Sequence, residues 1–256
     1  MIGDPGAARA FADEHAHYTA DLPLWRRLAH RLDGPVLDLG CASGRVAVEL
    51  ARDGSEVWAL DGDPHMLAEA AQGAAAHGAV VAQRLRTVPG DMRDFTLGTR
   101  FGLVICAMNT MQVLLDPDDH VACLGAVRRH LADDGEFWFD VALPDVADIM
   151  DTMGLVRAGD EHTGDDGVRW LHSSWYEDYE PLSQTADYAL RVERIEADGA
   201  SRTSVRRHTV HLFTPVEIHH LLERAGLEPL EVFGDFDGEP LTAAATRQVY
   251  RCGVAS

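Results

Sequence analysis

A glycine-bracketed turn after a short apolar run is the part of this sequence best suited to holding a cofactor. The apolar run is Val36-Leu37-Asp38-Leu39, and the turn Gly40-Cys41-Ala42-Ser43-Gly44 follows it directly. This pattern is typical of a buried parallel strand, a tight loop and the N-terminus of a helix. Gly40 and Gly44 supply positive φ and a bare backbone that a ligand can approach closely. In open α/β sheets, nucleotide-like cofactors bind in this crevice.

Three aspartates stand at the ends of predicted strands, where they could contact such a cofactor. Asp38 can order the loop by accepting backbone N–H bonds, and it can lie near a cationic ligand. Asp61 ends the second predicted strand, where a carboxylate can accept hydrogen bonds from ribose hydroxyls and would repel a 2′-phosphate. Asp91 could accept a hydrogen bond from the exocyclic amine of an adenine, with Met92 packing on the ring. The end of the fourth predicted strand, residues 106–109, is expected to face the same ligand.

Strands and helices alternate from residue 35 to about residue 142, which implies right-handed crossovers and a parallel sheet. The predicted strands are Pro35–Leu39, Glu56–Leu60, Arg84–Val88, Phe101–Ala107 and Glu136–Val141. The predicted helices cover about 44–53, 64–77 and 118–132. The second of these helices has Asp63 at its N-cap and Pro64 in its first turn. Residues 7–32 are also predicted to be helical, with an apolar face formed by Phe11, Tyr18, Leu22, Trp25, Leu28 and Leu32.

The pattern changes after Pro144. Three β-like runs follow, Val168–Tyr176, Gln184–Glu196 and Thr203–Phe213. The turn Asp198-Gly199 between the last two runs predicts a hairpin. Thr214-Pro215 opens a predicted helix that Gly226 ends. The helix is Val216–Ala225, and the two final strands are Leu230–Phe233 and Gln248–Cys252. We therefore expect one core with an antiparallel β insertion before its last helix.

The composition excludes some kinds of chemistry. All 22 basic residues are arginines and the formal net charge is −20. A lysine Schiff base is therefore excluded, and a nucleic-acid partner is disfavoured because it would need a basic face. The four cysteines form no C-x-x-C pair and are expected to be reduced, mostly buried thiols. We expect neither a signal peptide nor a membrane-spanning segment, and hence a cytoplasmic protein.

Taken in order along the chain, these motifs resemble those of the class I S-adenosylmethionine-dependent methyltransferases. Residues 36–44 are similar to the family's acid-x-Gly-x-Gly-x-Gly loop, with Ala42 in place of the middle glycine. Residues 61–67 resemble the ribose-binding segment, and Gly90-Asp91-Met92 resembles the adenine-binding segment. The resemblance is strong over about 35–142. It implies a Rossmann-like, doubly wound, mostly parallel seven-stranded sheet with an antiparallel β insertion before the last helix.

The resemblance implies S-adenosyl-L-methionine (SAM) as cofactor and S-adenosyl-L-homocysteine (SAH) as its product. Asp61 would hold the ribose hydroxyls, Asp91 would hold the adenine amine, and Gly40 and Ala42 would lie along the methionine moiety. The implied cofactor-binding residues are Asp38, Gly40, Cys41, Ala42, Gly44, Asp61, Gly62, Met66, Asp91, Met92, Ala107 and Asn109. The implied domains are a helical lid (1–34), a SAM-binding core (35–145), an antiparallel insertion (146–213) and a C-terminal helix with two strands (214–256). The insertion would roof the acceptor site or form a dimer contact.

The acceptor implied by the resemblance is a small molecule. Residues 90–95 have a close counterpart in sugar N-methyltransferases of antibiotic pathways, which implies methyl transfer to nitrogen or oxygen by in-line displacement, in natural-product biosynthesis. Residues 109–112 are Asn-Thr-Met-Gln, where a base-amine methyltransferase would carry an Asn/Asp-Pro-Pro-aromatic motif. A homodimer remains open.

A hydroxyl acceptor needs a base, whereas an amine needs only to arrive neutral. Candidate bases are His120, His172, His208 and His211. His208 and His211 would lie on opposite faces of a regular strand, so at most one of them would point at the ligand. Tyr18 is another candidate catalytic residue, because in related enzymes an N-terminal helix brings a tyrosine to the cofactor. Trp170, Trp175 and Tyr176 could line an acceptor pocket or could pack within a half-buried sheet.

Two other functions remain open. A nucleotide-cofactor oxidoreductase is disfavoured because G-x-G-x-x-G is missing and because Asp91 suits an adenine amine. A non-catalytic SAM sensor or partner subunit would keep the cofactor motifs and lack turnover. His219-His220 and His15-x-His17 lack further ligands at usable spacing, so no metal site is expected.

Overall fold

The computed structural model describes residues 3–164 and 166–255. The chain divides into two compact units. The first unit comprises the residues up to Met111, Asp116–Leu143 and the residues from Thr214 onward. The second unit comprises Gln112–Leu115 and Pro144–Phe213.

The helices lie mostly in the first unit. They are α1 (Pro5–His15), α2 (Leu22–Arg31), α3 (Arg45–Arg52), α4 (Pro64–Ala76), α5 (Ala79–Arg84), α6 (Pro117–His130), α7 (Val146–Asp151) and α8 (Pro215–Ala225), with a 3₁₀ turn over Thr110–Val113. Of these, α7 belongs to the second unit. The longest has 14 residues, and no helix within residues 3–164 and 166–255 is long and apolar enough to cross a membrane.

The first unit is built on a seven-stranded sheet. Its strands are β1 (Val36–Leu39), β2 (Val57–Asp61), β3 (Leu85–Pro89), β4 (Phe101–Cys106), β5 (Leu131–Ala142), β10 (Leu227–Phe233) and β11 (Arg247–Val254). Their order is β10-β11-β5-β4-β1-β2-β3. The pairings from β5 to β3 are parallel, and β11 pairs antiparallel with both β5 and β10. This is the predicted Rossmann-like, mostly parallel seven-stranded sheet, and the prediction is confirmed.

The second unit is built on an antiparallel sheet of order β6-β7-β8-β9. Its strands are β6 (Arg157–Thr163), β7 (Arg169–Glu180), β8 (Thr185–Ile195) and β9 (Ser201–His211). The sequence predicted the last three strands and missed β6. The reason is that β6 is a polar, mostly exposed edge strand without apolar alternation, and alternation is the signal by which strands are found.

Local capping explains why several helices begin and end where they do. Asp63 accepts the backbone N–H of His65 at 2.9 Å and caps α4, as predicted. Thr214 and Glu217 form a capping box at the start of α8. Gly226 ends α8 with a φ of 73°, the left-handed conformation expected of a glycine at this position.

The prediction of one helical stretch over residues 7–32 was wrong. The structure has two helices, α1 and α2, joined by a non-helical segment over residues 16–21. Pro23 stands in the first turn of α2, where proline suits a helix start and cannot continue an earlier one. Tyr18 therefore lies on the connecting segment and not on a helix.

Each unit has an apolar core of its own. In the first unit, α2, α3 and α4 cover one face of the sheet, with Trp25 and Leu50 fully buried. In the second unit, Ile149, Ala186 and Leu212 form one small core, and Val168, Trp170 and Val192 form another.

All four cysteines are free and buried, as expected. They are Cys41, Cys106, Cys123 and Cys252. Burial raises the pKa of each thiol.

Candidate active site

The two glycines of the loop after β1 are required by their surroundings. Gly40 has a φ of 69° and Gly44 a φ of 80°, which side chains other than glycine rarely adopt. A Cβ at Gly40 would lie 2.3 Å from Cγ2 of Thr110, and a Cβ at Gly44 would lie 2.6 Å from Cβ of Ala70. The loop therefore touches both the turn after β4 and helix α4.

Asp61 ties this loop to the end of β2. Its Oδ2 accepts the backbone N–H of Ala42 at 2.8 Å, and its Oδ1 accepts the N–H of Asp63 at 2.8 Å. Ala42, which stands where the family pattern has a glycine, has a φ of 47°. A single carboxylate thus orders the glycine loop and the start of α4.

Asp38 holds the start of helix α3, which follows the same loop. Its side chain is 2 % exposed, and its Oδ2 accepts the N–H of Ala47, in the first turn of α3, at 3.1 Å. Burial raises the pKa of Asp38 to about 7, although the nearby cation of Arg45 lowers it in part. The neighbouring carboxylates of Asp21 and Asp61 raise the same pKa further.

A small cavity of about 90 Å³ lies against the glycine loop. Residues of the loop, of the turn after β4 and of α1 line it, among them Gly40, Ala42, Arg45, Ala107, Met108 and Phe11. The carboxyl ends of β1 and β4, which are neighbours in the sheet, both open into this cavity. This is the crevice in which open α/β sheets bind their ligands.

Asp91 is already engaged by an arginine. Both of its oxygens accept hydrogen bonds from the Arg93 side chain, at 2.6 to 3.1 Å. Arg93 also bonds Asp119 at 2.9 Å. These hydrogen bonds lower the pKa of Asp91. An adenine amine would therefore have to share this carboxylate with Arg93.

The other predicted cofactor residues have varied surroundings. The Cys41 thiol is buried and donates to the Ala42 carbonyl at 3.5 Å. Gly62 directly follows Asp61, and Met92 is half-buried. Met66 is 4 % exposed within α4, whereas Asn109 is exposed and has a φ of 61°.

Known proteins that resemble this chain are methyltransferases. Residues 36–135 match the model of a methyltransferase domain. The cypemycin N-terminal methyltransferase of a Streptomyces species is 28 % identical, over 88 % of this chain and 85 % of its own. The CcbJ methyltransferase of Streptomyces caelestis is 26 % identical and superposes with a TM-score of 0.74, over 92 % of this chain and 95 % of its own. A SAM-dependent methyltransferase of Clostridium acetobutylicum is 18 % identical, with a TM-score of 0.75, over 97 % of this chain and 98 % of its own.

The resemblance that the glycine loop indicates thus extends along most of the chain, because these relatives align with 88 to 97 % of it. The protein is a class I SAM-dependent methyltransferase.

The residues of this methyltransferase fit the cofactor. A carboxylate at the end of β2 suits a ribose, and Asp38 beside the loop suits a ligand that carries a sulfonium charge. Arg45, which lines the cavity, is neutralised by the bidentate bond with Asp21, at 2.6 and 2.7 Å. Arg45 therefore does not present an unpaired positive charge to the positively charged sulfur.

The sequence did not predict the polar cluster beside the cavity, in which Tyr18 lies with Asp21, Arg45, Asp140 and Arg247; Asp21 and Asp140 are buried and the other three are half-buried. Arg45 donates to the Tyr18 carbonyl at 2.9 Å and lies 5.0 Å from the centre of the Tyr18 ring. Arg247 donates to the Tyr18 hydroxyl at 3.3 Å and lies 3.9 Å from the Asp140 carboxylate. Burial raises the pKa of Tyr18. Arg45 follows the glycine loop directly and could have been singled out, whereas Asp21, Asp140 and Arg247 belong to no motif.

The candidate histidines lie in different units. His120 is fully buried on α6 of the first unit. His172, His208 and His211 belong to the antiparallel sheet of the second unit. His208 is exposed and His211 is 3 % exposed, so the two do face opposite sides of β9.

The aromatic residues predicted for the acceptor pocket also lie in the second unit. Trp170 is buried against Val168 and Val192, with Arg194 5.4 Å from its ring centre. Its surroundings are those of a core side chain. Trp175 and Tyr176 are half-buried on β7.

Proposed function

We propose that this methyltransferase transfers the methyl group of SAM to an amine nitrogen of a small molecule. The observation that carries the proposal is the bond between Asp61 and Ala42, which holds the glycine loop at the carboxyl edge of the parallel strands. An amine is favoured over a hydroxyl because the relative at 28 % identity is named for N-terminal methylation of cypemycin. An oxygen acceptor is the alternative.

The proposed roles of the cofactor residues follow from their positions. Bound SAM supplies a methyl group on a positively charged sulfur, already activated for transfer. Asp61 accepts the ribose hydroxyls with the lone pairs that its two backbone partners leave unused. The backbone of Gly40–Ala42 lies along the methionine moiety, and Asp91 shares its carboxylate between Arg93 and the adenine amine.

Positioning provides most of the catalysis in this proposal. Displacement at an activated methyl requires the acceptor nitrogen to lie in line with the sulfur, and holding two reactants in that geometry removes much of the entropic barrier. The nitrogen must arrive neutral, so a proton acceptor is needed only for an ammonium or a hydroxyl. Tyr18, His172 and one of the two histidines on opposite sides of β9, His208 or His211, are the side chains proposed for contact with the acceptor or its proton.

The domain roles are also proposals. Residues 1–34 act as a lid over the cofactor, which is supported by Phe11 and His15 of α1 in the lining of the cavity. Residues 146–213 form the acceptor site's roof or pair two subunits into a homodimer. Deleting residues 168–213 is expected to abolish turnover or change the oligomeric state in size-exclusion chromatography. Full turnover with an unchanged oligomeric state would contradict this role.

Calorimetric titration of the purified protein tests the cofactor proposal. SAH is expected to bind with a micromolar dissociation constant, and NADH, the control, is expected not to bind. Binding of NADH alone would point to the oxidoreductase. Neither ligand binding to the folded protein would mean that the glycine loop is kept for structure alone.

Turnover distinguishes an enzyme from a SAM sensor. The protein is incubated with SAM and a panel of aminosugars, short peptides with free N-termini and the matching hydroxyl compounds, and mass spectrometry detects the added methyl group. Methylated amines are the expected products. Methylation of hydroxyls alone would replace the amine proposal with the oxygen alternative.

We further propose a cytoplasmic location. Four free, buried cysteines support it, because reduced thiols are typical of that compartment. Fractionation of cells that produce the protein tests it, and recovery in an extracellular fraction would contradict it.

A further inference from the structure

Asp140 is a buried acid whose hydrogen-bonding capacity is only half used. It lies on β5 and is 1 % exposed. Its Oδ1 accepts the backbone N–H of Met108 at 2.7 Å. Its Oδ2 is buried and has no hydrogen-bond partner among residues 3–164 and 166–255, and Arg247 is 3.9 Å away. Burying a carboxylate in this way costs free energy, so its bond with Met108 calls for an explanation beyond packing.

Met108 belongs to a turn with unusual backbone geometry. Met108 has a φ of 59° and Asn109 a φ of 61°, so two successive residues other than glycine occupy the left-handed region, which is uncommon. The turn is closed by Thr110, whose Oγ1 donates to the Ala107 carbonyl at 2.7 Å. Such a backbone persists only where its surroundings hold it, and Asp140, on the neighbouring strand β5, holds this turn by accepting the Met108 N–H.

This turn forms one wall of the cavity beside the glycine loop. Ala107, Met108 and Thr110 line the cavity. Thr110 occupies the space in front of Gly40 so closely that a Cβ there would lie 2.3 Å from its methyl group. The Met108 sulfur lies 4.0 Å from Nη2 of Arg45. A shift of the turn would therefore change its contacts with Gly40 at one end of the loop and with Arg45 just after the other end.

We propose that Asp140 is a positioning residue for the cofactor: by accepting the Met108 N–H it fixes the left-handed turn that forms the cavity wall beside Gly40. This inference rests on the proposed function, which places the methionine moiety of SAM along Gly40–Ala42, beside this cavity. Asp140 acts through the backbone of Met108 and does not itself touch the cofactor.

A double-mutant cycle tests this role. SAH dissociation constants and thermal-unfolding midpoints are measured for the wild type, Asp140→Ala, Met108→Gly and the double variant. Losing one hydrogen bond to a charged group should weaken SAH binding about tenfold in Asp140→Ala. In the Met108→Gly background the same substitution should weaken it less than about threefold, because glycine adopts positive φ without an anchor.

Glu136→Gln is the matched control. Glu136 lies on β5 four residues before Asp140, and therefore on the same face of the strand. It accepts hydrogen bonds from side chains outside the turn, those of Arg31, Arg251 and Trp138. Its replacement should lower the unfolding midpoint equally in both backgrounds and leave the affinity for SAH unchanged.

Equal losses of affinity for Asp140→Ala in the two backgrounds would overturn the proposal. If Asp140→Ala does not fold, Asp140→Asn takes its place, because it keeps an oxygen for the Met108 N–H. This variant is expected to bind SAH with a dissociation constant within about threefold of wild type. A folded Asp140→Asn whose affinity for SAH falls about tenfold or more would equally overturn the proposal. If the wild type itself does not bind SAH, the proposed function fails. The unfolding midpoints of the cycle then still report whether Asp140 and Met108 are coupled, and additive midpoints would reject the positioning role.

Discussion

The carboxylate of Asp61 accepts the backbone N–H of Ala42 at 2.8 Å, so the last residue of β2 holds the loop that follows β1. The two strands are neighbours in the sheet, and the bond joins their carboxyl ends. Asp61 thus has a structural duty in addition to its proposed contact with ribose. The two duties can be separated by experiment.

Replacing Asp61 with alanine should impair both binding and folding. Unpaired ribose hydroxyls and a loosened loop are expected to weaken SAH binding by about 1–3 kcal/mol, which calorimetry measures. The free energy of unfolding should also fall, because the N–H groups of Ala42 and Asp63 lose their acceptor. Asp63→Ala is the control: it removes the cap of α4, should cost about 1 kcal/mol of stability, and should leave the affinity unchanged. An Asp61→Ala variant with wild-type affinity would remove Asp61 from the ribose role.

Replacing Ala42 with glycine should stabilise the protein. Alanine at a φ of 47° is strained, by about 1–2 kcal/mol, and part of this gain is offset by the greater freedom of glycine in the unfolded chain, about 0.5–1 kcal/mol. Urea denaturation should show a net gain of up to about 1.5 kcal/mol. Ala71→Gly, in the exposed middle of α4, should instead lose about 1 kcal/mol. Equal losses in both variants would show that the loop conformation is not strained.

Asp38 should make the protein more stable at mildly acidic pH. Its pKa is about 7 in the folded protein against the ordinary 3.8, so between these values the folded state binds more protons than the unfolded state. Stability therefore falls as the pH rises through this window, by on the order of 1 kcal/mol per pH unit, and the cost is complete above pH 7. Asp140, whose pKa burial raises to about 6, contributes with the same sign.

Asp38→Asn tests this pH dependence. Urea midpoints at pH 5, 6.5 and 8 should fall less steeply for the variant than for the wild type. Asp133→Asn, at a fully exposed acid, should follow the wild type. Parallel curves for wild type and Asp38→Asn would show that Asp38 ionises normally.

Tyr18→Phe should lower turnover more than stability. The variant loses the hydroxyl that accepts a bond from Arg247 at 3.3 Å and keeps the ring beneath Arg45. We expect kcat/KM to fall about tenfold or more and the free energy of unfolding to change by about 1 kcal/mol or less. In the control Tyr250→Phe, the lost hydroxyl bonds Gln248 in the core at 2.8 Å, so stability should fall without a loss of turnover. The opposite pattern for Tyr18 would make it a core residue.

The features that could be predicted from the sequence are those encoded locally. The apolar runs with glycine turns located β1 to β4, and Asp63, Thr214 and Gly226 marked helix ends by their own side chains or φ angles. The break between α1 and α2 is not visible in the periodicity, although Pro23 marks the start of α2 in the sequence. The bond of Asp21 with Arg45 could not be predicted, because it joins residues 24 positions apart.

The polar cluster around the cavity was missed for the same reason. Asp140 and Arg247 stand in strands whose other residues are largely apolar, and only the pairing of β5 with β11 brings them together. Their distance in sequence leaves no spacing for a motif. The salt bridge between Asp91 and Arg93 could have been considered, since the two residues are two positions apart. The sequence alone does not show with which acid Arg93 pairs.

The buried thiols make the molecule convenient to label. The four native cysteines are buried and their pKa values are raised, so maleimides should not react with them in the folded protein. The 22 basic residues are all arginines, whose side chains amine-directed dyes do not modify. A single Arg9→Cys change, at a side chain on α1 that is 58 % exposed, would therefore accept one fluorophore without prior removal of any native residue. Spectroscopy on that one probe can follow how the N-terminal helix responds when SAH is added.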